Sequence, residues 1–279
     1  MKSAPDHVHE RTARALAASL AAASAALLSL AFPVERALAE PPHCGALRVL
    51  FLSDSHALGP FGERLEAWFL KLPGAAVSTY AIGGSSPAFW FKGNRSNHAF
   101  VFHGCGGAPV PRKNLKHLEM WTPLLADILK PPAAPPEREM IVIGQGSNVP
   151  GTPSVYVEQA ERLARAAHDG RPRTCVWIGP PRMRRWGPRY LDEVYGAIEA
   201  GLQAAAAGGA PCTLIDSRKH SAYPDGEGDG IHYPFSPAGL AAAVRWADGV
   251  IAELGPLVPA PPRPPRKTGC RGRPAEPDD

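Results

Sequence analysis

Arg48-Val49-Leu50-Phe51-Leu52-Ser53-Asp54-Ser55-His56 decides how this chain folds. Its first five residues are mostly apolar and read as a buried strand. Small polar residues then stop the strand, and a helical pattern begins near Gly59-Pro60. In a parallel α/β sheet the chemistry collects where the carboxyl end of a strand gives way to a helix. Ser55 stands at that edge, where its hydroxyl can enter a crevice and nearby backbone N–H groups can face a developing oxyanion. Ser and Asp are also common turn residues, so the plainer reading of the stretch taken alone is a strand-end turn.

Working outward, four more apolar runs read as strands, at residues 76–82, 140–144, 174–178 and 212–216. Between them lie helical patterns at 61–72, 118–129, 154–168 and 190–207, and a last one runs from Ser236 to about Leu254. The spacing of Phe61, Leu65, Trp68, Phe69 and Leu72 makes one apolar face. Ser154 is a plausible N-cap, and Ser236 followed by Pro237 is a strong helix start. Strands alternating with helices in this way predict an α/β protein: a mostly parallel five-stranded sheet with helices on both faces.

Two segments break the alternation. Residues 88–117 read as irregular, with Phe89, Trp90 and Phe91 near the start. A loop of that length is functional or disordered, and its aromatic content argues against disorder. The rings, with Trp90 as the candidate, either stack on sugar rings or plug the sheet edge. The run Arg182-Met183-Arg184-Arg185-Trp186 is either a solvated loop or a grip on an anionic substrate, with Arg182 as the candidate contact.

A chain of 279 residues can bury one substantial core and still carry tails. Hydrophobic content of 44% and charged content of 20% suit a soluble globular protein. A formal charge of +4 gives no dense basic face for nucleic acid, so none is expected as a partner. Residues 1–39 have a secretory layout: Arg11 and Arg14, an apolar run from Ala15 to Phe32, then an Ala37-Leu38-Ala39 cleavage site. The expectation is a cleaved signal peptide, a secreted or periplasmic monomer, and no stable membrane insertion afterwards. The domain is expected at 40–255, followed by a disordered Pro- and Arg-rich tail at 256–279. All five cysteines lie beyond the cleavage site, an odd number that leaves at least one unpaired within the chain. Cys175 and Cys212 sit in apolar runs, where buried free thiols are the plainer expectation. No cysteine or histidine spacing suggests zinc.

Three strand ends and one late loop supply what acyl transfer needs: a nucleophile, a base and oxyanion donors. These are Ser55, His232, and a set made of the Ser55 and Gly83 N–H groups with the Asn148 amide. Asp229, three residues before His232, can fix the imidazole tautomer. In this order the residues resemble the SGNH/GDSL hydrolases over roughly residues 46–254. The matching motifs are Ser53-Asp54-Ser55, Gly83, Gly146-Ser147-Asn148-Val149, and Asp229-Gly-Ile-His232. Ser53 stands where that family has glycine and Val149 where it has aspartate, and Gly84 is an alternative to Gly83. The resemblance implies a flavodoxin-like three-layer sandwich and ester hydrolysis without metal or cofactor. The substrate it suggests is an O-acetyl group on a carbohydrate or peptidoglycan, fitting an exported protein. The competing expectations are an O-acyltransferase using the same Ser and His, and a non-catalytic glycan-binding protein on the same fold.

Overall fold

The computed structural model describes residues 45–112, 118–133, 135–149 and 151–261. The expected signal peptide at 1–39 and most of the expected tail, from 262 onward, lie outside the described residues.

Among the described residues seven strands form one sheet. They are β1 (Leu47–Ser53), β2 (Ala75–Ile82), β3 (Arg95–Cys105), β4 (Leu118–Trp121), β5 (Arg138–Gly144), β6 (Thr174–Ile178) and β7 (Thr213–Ile215). The helices are α1 (Pro60–Phe69), α2 (Phe89–Lys92), α3 (Leu125–Ile128), α4 (Val155–His168), α5 (Pro188–Ala207) and α6 (Pro237–Leu254). The strand order is β4-β3-β2-β1-β5-β6-β7, with every pairing from β2 across to β7 parallel. Those five parallel strands, counted alone in chain order, run 2-1-3-4-5, the flavodoxin-like order. The chain steps from β1 to one side to make β2, and β5 lies on β1's other side. A crevice therefore opens beyond the carboxyl ends of β1 and β5.

The alternation of side chains along the central strands builds two cores. Val49 and Phe51 of β1, Met140 and Val142 of β5, and Val176 and Ile178 of β6 join a cluster with α1 and α6. Leu50, Leu52, Ile141, Ile143 and Trp177 join the opposite cluster with α4 and α5. Both faces are covered, which is why these strands read as near-continuous apolar runs. The result is the three-layer α/β sandwich expected, with two more strands than the sequence suggested.

One extra strand, β3, lies in the segment read as irregular, and the other, β4, lies in the stretch read as a helix. β3 runs antiparallel to β2, and β4 antiparallel to β3, with a register shift between Ser96 and Ala99. The helix expected at 118–129 is therefore corrected to a strand and then the single turn of α3. Leu118, Trp121 and Leu125 fit a helical period, but Pro123 cannot sit in a helix interior and steers Thr122 towards extended backbone. Ser154 precedes α4 but makes no side-chain capping bond, whereas the Ser236 hydroxyl accepts the Gly239 N–H at 3.1 Å.

Two further expectations are overturned. Cys175 and Cys212 are not free thiols: they form a disulfide, with Cα atoms 4.6 Å apart. It ties β6 to the approach to β7. The tail does not begin at 256 either. Gly255–Leu257 form a 3-10 turn, Leu257 and Val258 pack on the core, and Arg138 donates to the Pro259 carbonyl at 2.6 Å. Among the described residues no helix is long and apolar enough to cross a membrane.

Candidate active site

β1 ends at Ser53, and the chain turns through Asp54 into a short 3-10 helix, Ser55–Leu58. The Asp54 carboxylate accepts the His56 N–H at 3.0 Å and, from across the crevice, the Ser147 N–H at 3.4 Å. The nucleophile turn is thus fastened to the segment that follows β5. Asp54 is wholly enclosed: burial pushes its carboxyl up to about 6, against the pull of the His56 and Ser147 N–H groups. Ser55 itself is half-buried.

The late loop before α6 meets this turn. His232 Nε2 lies 2.9 Å from Ser55 Oγ, and His232 Nδ1 lies 2.6 Å from Asp229 Oδ2. The other Asp229 oxygen accepts the Ile231 and His232 N–H groups, each at 2.8 Å. One carboxylate therefore shapes the loop and sets the tautomer, leaving a bare Nε2 to take the serine proton. Partial burial raises the Asp229 carboxyl, but the bonds from the His232 ring and from the two N–H groups outweigh it and hold it at about 2. Asp229 stays ionised wherever His232 acts as a base.

Packing holds the loop in place. Tyr223 donates its hydroxyl to the His232 carbonyl at 3.0 Å and accepts the Gly230 N–H at 3.0 Å. Arg185 donates its N–H to the Gly230 carbonyl at 2.9 Å, and Arg184 reaches the Gly228 carbonyl at 3.0 Å. Behind His232 stand His56, Tyr233 and Trp246, with Trp246 stacked on Phe61 at 3.5 Å between ring centroids.

His56, the neighbouring imidazole, is no rival base. Burial first, then the charge of His232, lowers it to about 3, and its Nε2 has no hydrogen-bond partner. The cavity it shares with Ser55, His232, Tyr233 and Trp246 is only about 20 Å³, room for one water and no acyl chain. An acyl group must therefore lie on the open face of the site. A concavity of about 830 Å³, lined by Glu139, Arg171 and Arg173, lies at the opposite ends of β5 and β6 and is remote from this chemistry.

The proposed oxyanion donors fare unequally. Asn148 follows β5 and keeps one amide hydrogen on the Ser85 carbonyl at 3.2 Å, which leaves the second hydrogen free of that bond. Gly83 must be withdrawn: its N–H donates to the His98 carbonyl of β3 at 2.7 Å and is spent on sheet pairing. Gly84 replaces it as the donor candidate on this turn. It is exposed at φ +72, with nothing within 4 Å of where a Cβ would stand, a backbone conformation suited to glycine.

Of the two substrate-contact candidates, Trp90 is corrected. Trp90 has no exposed surface and belongs to the core beneath α4 and α5, so the aromatic segment is a plug. Arg182 is exposed, but its guanidinium donates to the Arg218 carbonyl at 3.0 Å, and its carbonyl accepts the Tyr233 hydroxyl at 3.2 Å. These bonds tie its segment to Tyr233, next to His232, and the exposed side chain remains the candidate contact. No cluster able to hold a metal ion occurs among the described residues.

No family model and no curated protein matches the chain. Among solved structures it is similar to the C-terminal catalytic domain of the Streptococcus pneumoniae peptidoglycan O-acetyltransferase A with a methylsulfonyl adduct. That likeness has 17% identity and a TM-score of 0.46, over 76% of this chain and 95% of that one. It is also similar to TesA, at 19% identity and a TM-score of 0.46 over 75% of this chain and 99% of that one. A lipase/acylhydrolase from Enterococcus faecalis gives 17% identity and a TM-score of 0.43 over 78% and 99%. Likenesses this distant assign no chemistry; that comes from Ser55, His232 and Asp229.

Proposed function

We propose that this chain is a serine ester hydrolase of the SGNH/GDSL type, removing small O-acyl groups from a carbohydrate or peptidoglycan outside the cytoplasm. The observation that carries the reading is the unbroken relay from Ser55 Oγ through His232 Nε2 and Nδ1 to Asp229. A serine hydroxyl attacks an ester only when a positioned base removes its proton during attack. Here the base is in place and oriented by a carboxylate. Ser55 attacks the carbonyl carbon as His232 takes its proton. The oxyanion forms against the Ser55 and Gly84 N–H groups and the Asn148 amide. His232 then returns the proton to the departing alcohol, and an attacking water repeats the sequence to release the acid.

The cavity lined by Ser55 and His232, about 20 Å³, has no room for an acyl chain, which favours a short acyl group. A protein that only bound glycan would not need a bare Nε2 aimed at a serine hydroxyl. The test is acetate release from a panel of O-acetylated glycans and peptidoglycan, with Ser55→Ala as control and with products analysed in the presence of a sugar acceptor. Release that depends on Ser55 supports the reading. Acetyl transfer to the acceptor in place of release would move it to the transferase class, and no turnover on any ester would end it. Export is tested separately, by N-terminal sequencing of protein from its native host: a chain beginning at Glu40 is expected, and one beginning at Met1 would refute cleavage.

A further inference from the structure

Ser85 has no exposed surface and occupies the turn after β2, one residue beyond Gly84. Three strand ends meet on it. Its hydroxyl accepts from Gln145 Nε2 at 3.0 Å and donates to the Ser53 carbonyl at 3.4 Å. Its carbonyl accepts from Asn148 Nδ2 at 3.2 Å. Gln145 is itself anchored, because its carbonyl accepts the Trp177 indole N–H at 2.9 Å. The other Gln145 amide atom, Oε1, is buried without a partner. A buried acceptor left unsatisfied opposes folding. The arrangement tolerates it in keeping the Gln145 NH₂ on Ser85.

We propose that Ser85 is a positioning residue for the oxyanion hole, holding the Ser55 turn, Gly84 and Asn148 in a single register. The inference rests on the esterase reading and extends it to a residue that touches no substrate. The three donors ride on three separate segments, and no one strand fixes their mutual distances. Ser85 joins them: its hydroxyl to the residue two before Ser55, its peptide to Gly84, its carbonyl to the Asn148 amide. The last bond also decides which end of the Asn148 amide carries hydrogen towards the site. Donors displaced by about 1 Å lose on the order of 100-fold in rate, because they must meet an oxygen that exists only in the transition state.

The test compares wild type with Ser85→Ala, Gln145→Met, the double variant and Ser85→Thr on a chromogenic acetyl ester. Active sites are counted by fluorophosphonate titration, and Tm is measured alongside. Ser85→Ala should lower kcat per titrated site roughly 10- to 100-fold with KM changed by no more than about threefold, the signature of an interaction made in the transition state. Ser85→Thr, which keeps the hydroxyl, should recover most of that loss. Gln145→Met should lose kcat as well, and the double variant should be no worse than Ser85→Ala, because the two side chains belong to one hydrogen-bonded chain. The Gln145 arm stands whether or not threonine fits the site. If kcat per site in Ser85→Ala stays within about twofold of wild type while Tm falls, Ser85 is merely structural and the proposal is overturned. Losses that multiply in the double variant overturn it too. A wild-type protein without esterase activity or Ser55 labelling would overturn the esterase reading, and this proposal with it.

Discussion

Asp229→Asn isolates the tautomer argument. In the folded protein Asp229 Oδ2 accepts from His232 Nδ1 at 2.6 Å, while Oδ1 accepts two backbone N–H groups at 2.8 Å each. Asparagine keeps one acceptor oxygen, which the two N–H groups retain, and turns its NH₂ towards Nδ1. Nδ1 must then accept, the proton moves to Nε2, and Nε2 donates to Ser55 in place of taking its proton. The expected loss in kcat is about 10⁴-fold, or about 5.5 kcal/mol of activation free energy, the size seen when a relay histidine is locked in the wrong tautomer. Asp229→Ala removes the orienting bond without imposing the wrong tautomer and should be milder. The fold should barely notice Asp229→Asn: both side chains are about half exposed, where an ion pair contributes about 0–1 kcal/mol. That corresponds to at most about 4 °C in Tm for a domain of this size. Steady-state hydrolysis of a chromogenic acetyl ester, with thermal unfolding on the same samples, makes the comparison. An Asp229→Asn protein that kept more than about a tenth of wild-type kcat would show that Asp229 does not set the tautomer.

Three other outcomes follow from the geometry. Asn148→Ala should lower kcat by roughly 100-fold or more and leave the fold intact, since it deletes one side-chain oxyanion donor; unchanged kcat would remove Asn148 from the site. Replacing the Cys175–Cys212 bridge, as Cys175→Ala with Cys212→Ser, opens a loop with a sequence separation of 37. Loop entropy sets the expected loss near 4 kcal/mol, or roughly 8–15 °C in Tm, and an unchanged Tm would contradict it. For Asp54, held at about 6 when folded, the folded state keeps a proton that the unfolded chain gives up near its ordinary 3.8. Stability from this group is therefore present below about pH 4 and lost as pH rises to about 6. Urea midpoints of Asp54→Asn should improve relative to wild type across that window by up to about 3 kcal/mol, and a difference independent of pH would refute the raised carboxyl.

What the sequence made legible and what it hid share one physical cause. β1, β5 and β6 are buried on both faces, so their apolar runs stand out, and with them the strand ends that carry Ser55 and Asn148. The His232 loop was legible because Ser236 and Pro237 mark the start of α6 so clearly. β3 and β4 form the antiparallel flank, where polar residues interrupt the apolar ones: Asn97 and His98 are exposed within β3, and no clean alternation survives. That omission produced the Gly83 error. Which glycine offers its N–H depends on the Gly83 bond to His98, and His98 lies on the strand that could not be seen. Trp90 and the Cys175–Cys212 pair failed for a related reason. Whether an aromatic ring faces a crevice or a core, and whether two thiols meet, is decided by packing between elements far apart in the chain.

The most direct test is covalent. Ser55 and His232 are 177 residues apart and meet only in the folded sheet, with Nε2 at 2.9 Å from Oγ. A fluorophosphonate probe followed by peptide mass analysis should place the adduct on Ser55 in wild type, with no labelling in Ser55→Ala and strong suppression in His232→Ala. An adduct on another serine, or full labelling and full esterase activity in His232→Ala, would contradict the assignment of nucleophile and base.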